Sequence, residues 1–497
     1  MIRGCEVRPL LTALISSRSG YSMNRNNWIS SASRTLAISA ALVSLASTMS
    51  AAGRKEKVLY SFVANGFGPQ GNLVFDKAGN LYGTTPIAGP NICVSGGCGA
   101  VFQLIPPKQH GGSWTESVLY NFRGRKYDDG NEAVGLIADN SGNLYGTAIW
   151  GGRGQCGGKG GIVGCGVVYE LSPPKQEGGA WTEKVLYSFR GGSDGADPFG
   201  NLVFDRAGNL YGAASGGGDS ACFDGCGTIF ELSPPQTQGG QWNEKVLYTF
   251  KGGTDSQSPN GSLIFDGVGA IYGTTLGYQS CGPQVKDCGV VFKLNPPTNK
   301  DGRWKKQLLH RFGGPDGNQP YSGVIFDATG TTLYGTTFLG GSQVCTYGCG
   351  VVYSLTPGSN GKWMYAKVHG FTSGGEGSGP LAGLVMDQLG NLYGTTTGGG
   401  VYDQGRVFKL APSSGMDGLM AGNGTGNPGS SESVRTGHGW VFSILHSFAG
   451  SPDGSFPFNG SSVTFDDVGN LYGATYSGGT SQNCGTDGCG TVFEISP

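Results

Sequence analysis

The sequence predicts an all-β fold: a seven-bladed β-propeller of four-stranded antiparallel blades, closed by the N-terminal strand pairing with the last blade. Three observations carry this. Leu/Ile-Tyr-Gly recurs at Tyr82, Tyr145, Tyr211, Tyr272, Tyr334, Tyr393 and Tyr472, roughly every 60 residues, and a fixed period of that size marks a repeat architecture. Each period holds four short runs rich in β-branched and aromatic residues, bounded by Gly, Pro, Asn and Asp, and such runs read as strands. The chain after residue 52 opens on a run of the fourth kind, Lys57–Phe62, and ends on one of the third kind, Gly490–Pro497. Pairing those two completes the last blade and leaves no open sheet edge at the seam.

The elements follow in order through the third repeat. Asn201–Asp205 is the first strand, and Asp205-Arg-Ala-Gly-Asn209 is a tight turn. Asp begins such a turn by accepting backbone N–H groups two residues on. The equivalent Asp76, Asp139, Asp266, Asp327, Asp387 and Asp466 are therefore read as turn formers and not as a ring of ion ligands. Asn209–Ala213 is the second strand. The Gly after its Tyr (Gly83, Gly146, Gly212, Gly273, Gly335, Gly394 and Gly473 in the seven copies) implies a close backbone approach, expected between neighbouring blades. A Gly-rich loop with two Cys leads to the third strand, Thr228–Leu232, and a Pro-Pro connection ending at Trp242 leads to the fourth, Lys245–Phe250. In a meander of this kind the turns alternate between faces. The Cys loops and inter-blade loops then share one face, and their greater variety makes it the expected binding face.

Twelve of the 13 cysteines fall in these loops as local pairs: Cys93/Cys98, Cys156/Cys165, Cys222/Cys226, Cys281/Cys288, Cys345/Cys349 and Cys484/Cys489. Even numbers at equivalent places read as disulfides in an exported protein. Two ligands per loop at uneven spacing do not suit zinc, and no Cys-x-x-Cys redox motif is present. The sixth repeat has Tyr402-Asp-Gln-Gly405 where the others carry Cys.

Residues 1–52 differ in character. Arg34, the apolar run Thr35–Ala46 and the small residues Ser50-Ala-Ala52 form a signal-peptide pattern, for which Met23 is the expected true start. Residues 53–497 are read as a single propeller domain. Within it, 412–440 is a flexible Gly/Ser-rich insertion of the sixth blade. Gly is 95 of 497 residues, far above the usual ~7%, with no Gly-X-Y period. Net charge is −1 with 13% charged residues, and no basic patch points to nucleic acid. No cofactor, metal site or membrane association beyond the leader is expected. The expected state is a secreted or periplasmic monomer.

Candidate functional residues lie where the repeat breaks. Trp150 has no counterpart in other copies and opens a Cys loop, whereas Trp114, Trp181, Trp242, Trp304, Trp363 and Trp440 repeat and are read as packing residues. Tyr127, Asp128, Asp129, Phe223, Tyr278 and Tyr347 join Trp150 as candidate ligand-binding residues, because aromatics in loops with few charges suit stacking on sugars. Phe199, Tyr321, Phe338, Tyr402, Phe456 and Tyr476 lie in loops of the same face. His310, His369 and His446 each replace the Tyr of an outer strand, on three different blades, and are not expected to share a metal. The Asp-Gly pairs at Asp129, Asp194, Asp316 and Asp453 are read as turns. No Gly-x-Ser-x-Gly elbow, His-Glu-x-x-His or phosphate loop occurs, so no catalytic residue is assigned.

The pattern Gly-Asn-Leu-Val-Phe-Asp-x-x-Gly-Asn-Leu-Tyr-Gly, followed by Gly-Cys-Gly-Val-Val-Phe-Glu-Leu-Ser-Pro and Glu-Lys-Val-Leu-Tyr-Ser-Phe, resembles the Gloeo_Verruco (GloVer) repeat of exported bacterial choice-of-anchor proteins. The hairpin is more faintly similar to NHL-type and streptogramin-lyase-like propellers. The first resemblance implies export and tandem repeats, often with a C-terminal sorting anchor. No anchor is read here, which favours secretion or periplasmic residence. It implies no catalytic residues. The function expected is a non-catalytic binding or scaffold module, recognising a saccharide or another extracellular ligand, carbohydrate or protein, on the Cys-loop face. The alternatives are a polysaccharide lyase or hydrolase on that face and a structural or adhesive envelope protein.

Overall fold

The structure is a computed structural model. It describes residues 56–63, 66–89, 93, 97–109, 111–158, 161–176, 178–237, 239–277, 287–299, 302–342, 344–413, 433–436, 439–458, 462–481, 483–484 and 486–496. The leader reading for 1–52 lies outside them, as do Tyr278, Cys281 and most of the stretch 414–432.

Seven antiparallel sheets form the ring, and in blades one to five the strands run in chain order from the axis outwards. Blade three is typical: Ala196–Phe204, Leu210–Gly216, Thr228–Ser233 and Asn243–Thr249. Blade seven takes its inner three strands, Thr464–Phe465, Leu471–Thr475 and Thr491–Ile495, from the end of the chain. Its outer strand is Glu56–Ser61, which pairs antiparallel with Thr491–Ile495, Val58 opposite Phe493. Blade six carries a fifth strand. Ser433–Thr436, within the expected insertion, pairs with Trp440–Ser443 on the outer edge. No α-helix occurs among the described residues.

The hairpin Asp does what its turn requires. Asp205 accepts the amides of Ala207 (2.8 Å) and Asn209 (2.9 Å), the Asn209 side-chain amide (2.7 Å) and the Tyr211 hydroxyl (3.1 Å). Asp76, Asp387 and Asp466 repeat the set. Burial pushes the Asp205 carboxyl up, but these donors outweigh it and hold it below its ordinary range. Asp205→Ala leaves the part-buried Asn209 amide and Tyr211 hydroxyl without their acceptor and is expected to lower stability by about 1 kcal/mol. The urea midpoint measures it.

The Gly after the repeat Tyr answers to its own blade, not to its neighbour as the sequence suggested. A Cβ on Gly212 would lie 2.5 Å from the Phe230 ring, and one on Gly473 2.4 Å from Phe493. These aromatics sit directly opposite in the third strand, so the bare Gly is the floor on which the ring lies. Contact with the next blade falls to the residue that follows. Thr147, Thr274 and Thr336 donate their hydroxyls to carbonyls of the adjacent inner strand, Gly200 (3.3 Å), Ser322 (2.9 Å) and Ala382 (3.2 Å).

Seven apolar clusters fill the seven seams between blades. The repeated Trp residues belong to them: the rings of Trp181, Trp363 and Trp440 meet Tyr82, Tyr272 and Tyr334 of the preceding blade at 5.8–6.2 Å. Outside five of the clusters lies a polar latch. Tyr120, Tyr187 and Tyr248 of outer strands each donate to an inter-blade Asp (Asp129, Asp194 and Asp255) at 2.8 Å. His310 and His446 make the same contact with Asp316 (2.8 Å) and Asp453 (3.0 Å). His369 is buried and stacks on Phe442. The three histidines thus occupy three outer strands, each serving its own seam.

Candidate ligand site

Five disulfides close the Cys loops: Cys93–Cys98, Cys156–Cys165, Cys222–Cys226, Cys345–Cys349 and Cys484–Cys489, with Cα atoms 5.0–5.3 Å apart. Cys288 is also disulfide-bonded; its expected partner, Cys281, lies outside the described residues. The second Cys of each loop has a further task. Its carbonyl accepts the N–H of the residue that starts the next blade: Cys98 from Glu132, Cys165 from Asp197, Cys226 from Ser258, Cys288 from Gln319, Cys349 from Gly379 and Cys489 from Gly68, all at 2.8–3.0 Å. In blade six Gln404 takes the place of Cys and holds Phe456 at 2.8 Å. These junction residues share a left-handed backbone, with φ between 53° and 82°, and all but Glu132 precede a proline.

Without a disulfide, the blade-six loop spans only 397–405 between its strands, the shortest of the seven. The space it leaves is a cleft of about 950 Å³, at the upper end of the range for small-ligand sites. Tyr402, Asp403 and Gln404 form one wall, and Ser455, Phe456 and Phe458 of the following junction another. Tyr476, Thr486 and Asp487 of blade seven and Gln70 of blade one complete it. Phe458 and Tyr476 pack with ring centroids 5.6 Å apart. Tyr476 overhangs Gly68, where a Cβ would lie 2.5 Å from the ring. Tyr402 is 61% exposed and free to meet a ligand. The Asp403 backbone is left-handed, and its carboxylate accepts the Gly399 amide at 2.7 Å. Among the described residues, no Lys or Arg lines the cleft.

Burial, and then the charge of Glu132, push the Tyr476 hydroxyl up from its ordinary range. Asp197 is pushed up to about 6 by burial and by Asp224 in the neighbouring Cys loop.

Of the loop aromatics named from the sequence, Tyr402, Phe456 and Tyr476 line the cleft, whereas the candidate ligand-binding residues fall elsewhere. Tyr127, half exposed, lies in a short 3₁₀ turn with the cations of Arg123 and Lys126 5.3 and 5.5 Å from its ring. Asp128 pairs at the surface with Arg153 at 3.0 Å. Asp129 is buried and its carboxylate is engaged by Tyr120, the Arg123 amide and side chain and the Gly130 amide. Trp150 stands in the second strand of blade two opposite Asn131. Phe223 is fully exposed and Tyr347 is 74% exposed, on loops of blades three and five. Tyr127, Asp128, Asp129 and Trp150 fall together at the junction of blades one and two, where Gly130 pairs with Gly151 and the Asp129 carbonyl accepts the Gly152 amide at 2.9 Å, whereas Phe223 and Tyr347 lie on other blades; none of the described candidates lines the cleft. Apart from Phe456, the junction residues are not among those read from the sequence. Their signal was the Pro that recurs at one offset before the inner strand, at Pro69, Pro198, Pro259, Pro320, Pro380 and Pro457, with a different residue before it almost every time.

The repeated hairpin and Cys loop decide the family likeness. Residues 226–441 match the Gloeobacter/Verrucomicrobia repeat. That stretch of Gloeobacter/Verrucomicrobia repeat runs from the Cys loop of blade three to the outer strand of blade six, so it includes the loop without cysteines. No curated protein matches the chain by sequence. Among solved structures, virginiamycin B lyase from Staphylococcus aureus is similar at 10% identity over 89% of this chain and 99% of its own, with a TM-score of 0.45. A protein of unknown function from Dyadobacter fermentans is 12% identical over 69% and 94%, with a TM-score of 0.39. A polysaccharide lyase, an ulvan lyase, is 13% identical over 71% and 83%, with a TM-score of 0.43. Likeness at this distance carries no argument about chemistry.

One further cluster is of note. The carboxylates of Glu56 and Asp453 and the imidazole of His446 lie within 4.8 Å of one another. The seams of blades one/two and two/three hold the same arrangement with Tyr in place of His: Tyr120, Asp129 and Glu183, then Tyr187, Asp194 and Glu244. The cluster is thus the six/seven seam's version of a repeated latch.

Proposed function

We propose that the protein is an exported, non-catalytic binding propeller that holds a saccharide on its Cys-loop face, in the cleft between blades six, seven and one. The observation that carries this reading is the cleft itself. It opens at the blade whose loop lacks cysteines, and it sets Tyr402, Phe456, Phe458 and Tyr476 beside Asp403, Gln404 and Asp487. Aromatic faces stack on the apolar faces of sugar rings, and convergent amides and carboxylates take the hydroxyls. The disulfides support an oxidising compartment, and no described helix is long and apolar enough to cross a membrane.

A glycan array followed by calorimetry tests the reading. Saturable binding without change to the glycan is expected. Tyr402→Ala, a change at an exposed side chain, is expected to weaken it about tenfold, equivalent to about 1.4 kcal/mol, with an unaltered melting temperature. No binding to any glycan overturns the saccharide reading, and new reducing or unsaturated ends overturn the non-catalytic one.

A further inference from the structure

The latch residue of each outer strand and the residue it meets on the next blade are matched. Where the latch is Tyr, the next outer strand sets an ionisable group beside it. Glu116 accepts from Tyr60 at 2.9 Å, Glu183 stands beside Tyr120, Glu244 beside Tyr187, and the Lys306 ammonium lies 5.6 Å from the Tyr248 ring. Where the latch is His, that position is aromatic and stacks: Tyr365 on His310 at 4.6 Å and Phe442 on His369 at 4.0 Å. The six/seven seam departs from this pattern, because His446 there meets a carboxylate on each side, Glu56 and Asp453. A hydroxyl carries both a proton and lone pairs, so one Tyr oxygen serves two carboxyl groups, donating to one and accepting from the other. A ring nitrogen carries a proton or a lone pair, never both. His446 Nε2 lies 3.0 Å from Asp453, and Glu56 Oε1 is buried without a hydrogen-bond partner. The same oxygens of Glu183 and Glu244 also lack one, but a Tyr hydroxyl lies beside each.

We propose that Glu56, His446 and Asp453 bind a divalent transition-metal ion of the zinc class, which locks the closing strand onto blade six. Their ligand atoms already lie within 4.8 Å of one another. An ion about 2.0–2.2 Å from each sets them roughly 3–4 Å apart, a small adjustment of three side chains. Three protein ligands leave the fourth tetrahedral position to water, and the His446 and Asp453 side chains, 18% and 17% exposed, leave a way in from solvent. One imidazole and two carboxylates suit Zn²⁺, whereas Ca²⁺ takes six or more oxygens. The two carboxylates also neutralise the ion. Only one of the three outer-strand histidines is needed, not their convergence. The ligands come from three elements: the closing strand Glu56–Ser61, the outer strand Trp440–Ser447 and the connection that follows it. Glu56 begins the strand that completes blade seven by pairing alone. An ion there clamps the one element that the chain does not connect to its blade, and it stabilises the closed ring by mass action.

The test is titration calorimetry and thermal melting of the untagged protein with Zn²⁺, after treatment with a chelator. A single tight site is expected, with a melting temperature about 3 °C higher when Zn²⁺ is in roughly hundredfold excess over its Kd. His446→Tyr restores the residue found at the other carboxylate latches. It is expected to melt near the chelator-treated wild type and to lose the response to Zn²⁺. Glu56→Gln is expected to weaken Zn²⁺ binding about tenfold or more. His310→Tyr, at a latch without a second carboxylate, is expected to leave binding unchanged. A wild-type melting temperature that Zn²⁺ does not raise would overturn the proposal. So would a shift that persists undiminished in His446→Tyr or in Glu56→Gln, since the ion would then sit elsewhere. Should His446→Tyr fail to fold, Glu56→Gln decides alone. None of the three ligands lines the cleft, so neither result bears on glycan binding there.

Discussion

Stability is expected to rise as the pH falls from 8 to 5. Burial pushes Glu183 and Glu244 up to about 7, with the charges of Asp129 and Asp194 adding to it. Burial likewise raises Glu56 and Asp197 to about 6. A carboxyl whose folded pKa lies above its unfolded value binds its proton more tightly in the native state. Its contribution is complete below about pH 4.5 and is lost as the pH rises through 6 to 7. The turn carboxylates act in the other direction. For Asp76, Asp205 and Asp266, burial is outweighed by amide, hydroxyl or lysine donors, which hold them below their ordinary range. Their contribution is complete above about pH 4 and is lost on further acidification. Maximum stability is therefore expected between about pH 4 and 5, on the acid side of the usual optimum. One pKa unit corresponds to about 1.4 kcal/mol at full burial. Glu183 and Asp197, the more buried of the four, together supply on the order of a few kcal/mol, and the wetter Glu56 and Glu244 less because water screens them. Calorimetric melting from pH 4 to 8 measures this, and Glu183→Gln is expected to flatten the curve. A melting temperature constant from pH 5 to 8 would show that these carboxyls are hydrated in solution.

The architecture was legible because seven copies average out local ambiguity. One Phe-Asp-x-x-Gly-Asn-Leu-Tyr-Gly run is merely a plausible hairpin, whereas seven at a near-constant period leave little besides a propeller. Strand type at the two ends then gave closure, and the Val58–Phe493 register shows it. What the repeat could not tell was the partner of an invariant residue. Gly212 recurs as faithfully whether it faces Phe230 of its own blade or a neighbouring strand, and only the register decides.

The site was half legible for a related reason. A break in the repeat points to blade six, where Tyr402-Asp-Gln-Gly405 replaces the cysteines, and the cleft opens there. Trp150 and Tyr127 also break the repeat, but they fall at the junction of blades one and two, and Phe223 on blade three, all away from the cleft. Irregularity along a chain says nothing about convergence across a ring. The acidic latches were hidden more deeply. Glu183 meets Tyr120 and Asp129 only because the outer strand of one blade lies over the seam of the one before, a contact between residues more than 50 positions apart.

Removing the strand Glu56–Ser61 is expected to abolish cooperative folding. The one break in the ring's chain connection lies inside blade seven, between Thr491–Ile495 and Glu56–Ser61, and this strand bridges it by pairing. Phe62 is fully buried against Phe102 at 5.0 Å, and Leu59 is nearly so, in the cluster between blades seven and one. The Tyr60 hydroxyl donates to Glu116 of blade one at 2.9 Å, while Glu56 sits beside His446 and Asp453 of the six/seven seam. One strand therefore ties blade seven to both neighbours. Without it, Thr491–Ile495 becomes an open edge, available for pairing between molecules. Phe62→Ala alone is expected to cost about 3–5 kcal/mol. The truncated chain is expected to melt broadly and aggregate, and a synthetic peptide covering residues 56–63 to restore a single sharp transition when added in excess, since it binds only the folded ring. A truncated protein that melts as sharply as the intact one, at an unchanged temperature, would mean that the ring is held by its six continuous blades alone.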